Sequence, residues 1–474
     1  MNSTRLFANP RLIFTAIAAI VGLLMAFLLP VFMAPDEIGH FDRAYQVGEG
    51  QLLGRAEGIR TGGTIPQAII GPDKFFTRTN DQDLAKKPYL KYLFKKIDTK
   101  SVKYTDFSSQ AVYSPVNYIP QAIGIDIARF VYPSIGTMVF LGRLCNLATY
   151  IFLVGLAIRT VKKGKWVYVV IGLFPMALHQ ASSLSADMMT IALALLWLAH
   201  LQNLFMQETR ITRQQWIWSL VLISCLALTK QSNILLALPV LFLPVRIFKE
   251  SRDKLKYVLA VGVLSLFLLG GWYWLMHAAH YSFQTHAQVD PLVSQSLQMQ
   301  YILHHPLDYT VALVRTYIHA GPHYPNIADS LVVNTYGSFG FLLYSLPLVL
   351  TIAGYGLLLV TLLYKDDSKK KMSPIQLKTI RWLSLVNVIT LILSLIVIAT
   401  LEYLTWTEVG DKQVNGLQGR YFIPLLPLLV PVFLLAQQKI SVTISKPAMM
   451  GGIVTCVAGI NLVAMIALTI KWYY

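Results

Sequence analysis

The chain has 474 residues, 55% hydrophobic and only 13% charged, with a mean hydropathy of +0.55 and a formal net charge of +17. Soluble globular chains carry roughly 25% charged residues, so this composition excludes an ordinary soluble enzyme and a disordered chain. On a soluble protein such a charge would suggest nucleic acid; on a membrane protein it first asks which side of the bilayer the charge is on.

In chain order, the hydrophobic runs are 12–33, 138–158, 166–181, 188–206, 214–229, 231–245, 257–276, 336–364, 382–401, 421–437 and 447–470, eleven candidate spans in all. About 18 or more apolar residues without charge read as a transmembrane helix. The first run follows Arg5 and Arg11 and ends in Leu-Pro-Val-Phe-Met. It is longer than the roughly 7–15-residue core of a signal peptide and reads as a retained helix. The two runs around Lys230 are each short for a full span. The stretch 115–133 is apolar but interrupted by Asp126 and Arg129, and it reads as an interfacial helix. Two long polar segments remain, 34–114 and 277–335. Cys145, Cys225 and Cys456 all lie in hydrophobic runs and form neither a disulfide framework nor a metal spacing.

Charge distribution sets an orientation. With the N-terminus in the cytoplasm, the short segments 1–11, 159–165, 207–213, 246–256, 365–381 and 438–446 hold 21 Lys or Arg against five Asp or Glu, a net of +16. The rest of the chain holds 19 basic and 18 acidic residues, a net of +1. Twelve of those 19 lie in 34–114, and long loops count little in the positive-inside rule. The pattern predicts an N-terminus inside, a C-terminus outside and both large polar segments on the outer face. Nucleic acid is thereby removed as a partner. So is nucleotide-consuming chemistry, and no P-loop motif is present.

The candidate chemistry lies at the outer boundary. Asp36 and Glu37 follow the first span, and Asp36, His40 and Arg43 fall at i, i+4 and i+7, one face of a helix. A carboxylate in a partly dry site can act as a general base; the same two acids also suit the wet end of a span. His40 invites a metal reading, but the spacing matches no zincin pattern and no second His is near. The stretch Lys86 to Ile97 mixes bases and aromatics, fitting either anionic lipid or a phosphate-rich acceptor. Tyr113 begins a Pro-bounded segment that returns the chain to the membrane, and Arg143 lies near the outer end of the second span. Asp187 and Lys230 each sit in a tight outer hairpin. They fit a functional site or a structural pair between hairpins. Gln418-Gly419-Arg420-Tyr421 opens the tenth run, and Arg420 is suited to phosphate oxygens or to snorkelling.

The motifs PDEIGHFDRAY, YSPVNYIPQAIG, FPMALHQASSLSADMMT, LALTKQSN and QGRYFIPLLPLL, in order between about residues 30 and 435, resemble a bacterial membrane family known as domain of unknown function 2142. That family in turn resembles the GT-C superfamily of integral-membrane glycosyltransferases, which includes protein O-mannosyltransferases, the aminoarabinose transferase of lipid A and oligosaccharyltransferases. The resemblance implies an all-α polytopic protein of the bacterial cytoplasmic membrane. It would be a single GT-C-like domain of about eleven transmembrane helices. A large first outer loop, 34–137, would bear interfacial helices, and 277–335 would form a second outer loop. It also implies a polyprenyl-phosphate-linked sugar donor and an envelope glycan, teichoic acid or lipid acceptor. The superfamily's first-loop Asp-Glu pattern falls on Asp36 and Glu37 as catalytic residues. Tyr113-Ser114-Pro115-Val116 occupies the place of the superfamily's His-Pro-Pro-Leu segment but lacks its His and second Pro. His40, Arg43, Tyr113, His319 and His323 are then expected to orient acceptor or base. Arg420, Lys230, Arg143, Gln418 and Tyr421 are expected to hold the donor phosphate. No ATP is required, because the lipid-phosphate sugar is already activated; no residue is assigned to a metal, and a divalent cation stays open. A flippase or transporter of lipid-linked sugars and a non-catalytic envelope-assembly scaffold are the competing readings.

Overall fold

The computed structural model describes residues 9–69, 92–281, 291–318, 331–339, 344–365 and 372–473. Among the described residues, seven helical segments are long and apolar enough to cross a membrane. These are α1 (Pro10–Leu28), α5 (Ile135–Thr160), α8 (Asp187–Met206), α10 (Ser251–Ala278), α15 (Pro374–Trp406), the segment Gly419–Ala436 and α17 (Lys446–Tyr473). Between them, in chain order, lie α2 (Glu37–Gly48), α3 (Ser108–Ala111), α4 (Ile119–Val131), α6 (Lys165–Gly172), α7 (Pro175–Ala181) and α9 (Arg213–Ala227). Further on come α11 (Gln295–His304), α12 (Pro306–Ile318), α13 (Leu331–Tyr336) and α14 (Leu348–Leu363). α8 is buried along almost its whole length, whereas α10 leaves Leu266, Phe267 and Trp274 exposed. Such a face is untenable in water and natural against hydrocarbon.

Five of the eleven expected spans take shorter or irregular forms. Run 166–181 breaks into α6 and α7, because Pro175 biases Phe174 to an extended conformation, ψ 135°. α9 has 15 residues and α14 has 16. Run 231–245 is a 12-residue 3-10 helix, Gln231–Phe242, with Pro239 inside it. A 3-10 helix rises about 2.0 Å per residue, so this piece covers about 24 Å rather than the 18 Å of an α-helix. Gly419–Leu429 is also 3-10 and continues as α16 (Val430–Ala436). Pro424 and Pro427 remove donors that an α-helix would need, whereas Pro431 falls in the first turn of α16, where its missing donor is tolerated.

The first loop departs from an all-helical expectation. It carries a small antiparallel sheet, β1 (Arg55–Glu57), β2 (Arg60–Pro66) and β3 (Val102–Asp106), with Gly62 paired to Arg55 on one side and Asp106 on the other. A second, two-stranded piece joins Ser338–Phe339 to Tyr344–Ser345. The expected interfacial helix is α4. Its outward stripe is Ile119, Ile123, Ile127 and Phe130, and its inner face packs on α5. A Cβ at Gly124 would collide with the Leu141 backbone, so that crossing requires glycine.

The short basic segments gather at one end of the bundle. The Lys162 amide donates to Asn203 Oδ1 (3.1 Å) and Gln202 Nε2 donates to the Lys163 carbonyl (3.0 Å). Ile211 bonds to Ile247, Arg246 reaches Thr379 Oγ1 and the Phe205 carbonyl, and Ser373 donates to Glu208. Asp36, Asp187, Lys230 and Arg420 lie at the opposite end.

Candidate functional site

The site is assembled by loops that the helix ends hold in place. Arg143, fully buried on α5, donates from Nη1 to the carbonyls of Ala26 (2.9 Å) and Leu29 (2.7 Å) and from Nη2 to that of Pro30 (3.0 Å). It thereby caps the C-terminus of α1, whose last carbonyls have no intrahelical donors. The same guanidinium grips Glu37 twice, Nε to Oε1 at 2.8 Å and Nη2 to Oε2 at 2.6 Å. Glu37 Oε1 also accepts from the Leu184 amide at 3.1 Å. The loop between α1 and α2 contains two non-glycine residues in the left-handed region, Phe32 (φ 65°) and Asp36 (φ 61°). Such strain persists only where the surroundings enforce it, and it clusters at functional sites. Here it turns the Asp36 carboxylate away from its buried neighbour Glu37.

Asp36 meets Arg420 across 384 residues of chain: Nη2 donates to Oδ2 at 3.0 Å. Arg420 Nε makes a second ion-pair contact, 2.8 Å to Asp187 Oδ2, while Asp187 Oδ1 pairs with Lys230. Asp187 sits in the first turn of α8, where the helix dipole favours an anion. The Lys230 ammonium lies 4.1 Å from the Tyr421 ring centre and 5.5 Å from that of Tyr113. Lys230 is positioned from the first loop: Ser114 Oγ donates to the Leu228 carbonyl (2.6 Å) and Asn117 Nδ2 to that of Thr229 (3.0 Å). Arg420 depends on the preceding glycine, because a Cβ at Gly419 would strike the backbone of Asn334 and Thr335.

These groups line a cavity of about 720 Å³. Asp36, His40, Tyr113, Lys230, Gln418, Arg420 and Tyr421, all expected from the sequence, face it together. His40 is buried, with Nδ1 2.9 Å from the Tyr118 hydroxyl. Burial lowers its pKa to about 4 against the opposing pull of Asp36 and Asp187, so the imidazole is neutral at pH 7. Burial likewise raises Tyr113 above the usual phenol range. Glu402, near the end of α15, and Asp187 complete the acidic side of the cavity.

Three expected residues stand elsewhere. Glu37 and Arg143 neutralise one another in the packed interior, leaving neither carboxylate nor guanidinium for a substrate. Arg43 does not share the cavity face with Asp36 and His40. It is fully buried and spends its donors on Gln46 Oε1 and on the carbonyls of Leu52 (2.7 Å) and Tyr113 (3.4 Å). His319 and His323 lie outside the described residues. Two cavity carboxylates lay outside the expected site. Asp187 was legible as a pairing partner of Lys230. Glu402 falls one residue beyond run 382–401, where an acid resembles the wet end of a span. Among the described residues no three His, Cys, Asp or Glu side chains gather as a metal site.

The architecture is therefore that of a multi-pass helical membrane protein with an ionised, aromatic-walled cavity at one end of the bundle. The chain belongs to the family described as "Predicted membrane protein (DUF2142)", whose model matches residues 19–429. No curated protein and no solved structure matches it.

Proposed function

We propose that this chain is a GT-C-type glycosyltransferase of the bacterial cytoplasmic membrane, crossing eleven times with its cavity on the outer face. It moves a sugar from a polyprenyl-phosphate carrier to an envelope glycan, teichoic acid or lipid acceptor. The observation that carries this reading is the convergence of Asp36, Asp187, Lys230 and Arg420 on one cavity from four separate parts of the chain. Transfer needs a base for the acceptor hydroxyl and cations for the departing phosphate. Asp36 takes the hydroxyl proton as the acceptor oxygen bonds to the anomeric carbon. The bond from that carbon to the phosphate oxygen breaks, and its electron pair leaves on the phosphate beside Arg420 and Lys230. Tyr113 and Tyr421 offer rings for the sugar face, and Gln418 offers an amide.

The test is transfer of labelled sugar from a polyprenyl-phosphate donor by purified wild-type and Asp36→Asn protein. Loss of transfer in the mutant is expected, and equal transfer would refute the base assignment. One observation favours a carrier instead: the two irregular 3-10 segments begin at the cavity, as broken helices do in transporters. Donor movement across vesicles without sugar transfer would establish that second reading.

A further inference from the structure

The two aspartates that touch Arg420 are held very differently. Asp187 is almost fully buried, 7% exposed at the side chain, and is pinned by Lys230 as well as Arg420. Asp36 is 47% exposed, touches Arg420 through one oxygen, and stands on a strained left-handed residue. Arg420 itself is only 3% exposed and has a further donor, Nη1, with no hydrogen-bond partner among the described residues. A guanidinium presents Nη1 and Nη2 side by side as a fork that matches two oxygens of a phosphate. Here Nη2 holds Asp36, while Nη1 is buried beside it with its hydrogen bonds unused.

We propose that the Asp36 carboxylate occupies the seat of a lipid-linked phosphate on Arg420, and that the arriving phosphate displaces it. Asp187 and Lys230 stay in place as the fixed backing that aims the guanidinium. The proposal rests on the transferase reading for its consequence: the base is freed from its ion pair only once donor is bound. Donor binding then precedes productive acceptor binding, and an acceptor alone meets a carboxylate still held by Arg420. Leaving the pair also lets residue 36 relax from its left-handed conformation, which a non-glycine residue adopts at a cost.

The experiment measures binding of a polyprenyl monophosphate to the purified full chain in nanodiscs, with inorganic phosphate as the headgroup control. Asp36→Asn removes the internal competitor and is expected to tighten binding about fivefold, the scale of a half-exposed ion pair. Asp36→Gly, which also relieves the left-handed strain, is expected to tighten it as well. Asp187→Asn loosens the backing of Arg420 and is expected to weaken binding about tenfold or more. Opposite signs at two aspartates on one arginine are the signature of the seat. Unchanged or weaker binding in both Asp36 variants overturns the proposal, as does tighter binding in Asp187→Asn. Inorganic phosphate binding as tightly as the lipid overturns the lipid-linked assignment. If the binding signs hold while no donor supports transfer, the seat stands and the transferase reading falls. If wild type transfers sugar but Asp36→Asn binds no tighter, the transferase stands and the displacement falls.

Discussion

Breaking the Glu37–Arg143 pair is predicted to destabilise the protein more than any change in the cavity. Both side chains are 0% exposed. Arg143 makes two hydrogen bonds to Glu37 and three to carbonyls at the end of α1. Removing one partner of such a pair leaves an uncompensated buried charge, worth about 3–5 kcal/mol. Glu37→Gln strands the guanidinium. Arg143→Gln strands the carboxylate and also uncaps α1. For a chain this long we scale the loss to a fall of about 5 °C in apparent unfolding temperature for each single variant. The double variant strands neither charge and is expected to lose less than the sum of the singles. Thermal unfolding in detergent, followed by intrinsic fluorescence, reads all four proteins. Strictly additive losses, or single variants within about 1 °C of wild type, would refute the buried-pair reasoning.

Two buried groups on α2 give opposite pH responses. His40 has a folded pKa of about 4 against an ordinary 6.5, so the unfolded chain binds more protons between those values. Unfolding temperature should fall as pH drops through that window, and His40→Gln should flatten the fall. Burial raises Asp42 from 3.8 to about 8, so its contribution worsens as pH rises through that range, and Asp42→Asn should gain more stability at pH 8 than at pH 5. At the cavity, Tyr421→Phe keeps a ring under Lys230 and should retain donor affinity, whereas Tyr421→Ala should lose about 0.5–2 kcal/mol of that contact, read as a rise in donor KM. Gly124→Val should drive α4 off the Leu141 backbone and lower the unfolding temperature, and an unchanged value would contradict the close crossing.

The sequence made the ends of apolar runs conspicuous, and this is why Asp36, Lys230 and Arg420 could be singled out before their geometry was known. Each is a charge where a hydrophobic run begins or stops. The same signal could not separate a charge that faces a cavity from one that faces another helix. Glu37 and Arg143 therefore looked as functional as Asp36, although they neutralise each other in the interior. Glu402 was overlooked for the converse reason: its distinction is the company of Lys230, Arg420 and Asp187 in space, and nothing in its neighbours along the chain records that. The runs located the apolar segments well, but run length did not reveal their helical pitch. Proline at 424 and 427 was the available sign that Gly419–Leu429 would wind as a 3-10 helix. The three-stranded sheet had only short strands in a long polar segment to announce it, and its pairing of β2 with β3 spans the undescribed stretch 70–91.

The 384-residue separation of Asp36 from Arg420 also orders the protein's assembly in time. At a synthesis rate of about 5–20 residues per second, roughly 20–80 s pass between the two residues leaving the ribosome. Asp187 and Lys230 are only 43 residues apart, so that pair can form well before Arg420 is made. Asp36 has no Arg420 to pair with until then, although Glu37 beside it can already hold Arg143. The ionic circuit of the cavity closes only once the segment Gly419–Ala436 has been made. A nascent chain truncated before residue 420 would carry most of the membrane domain and none of the finished site.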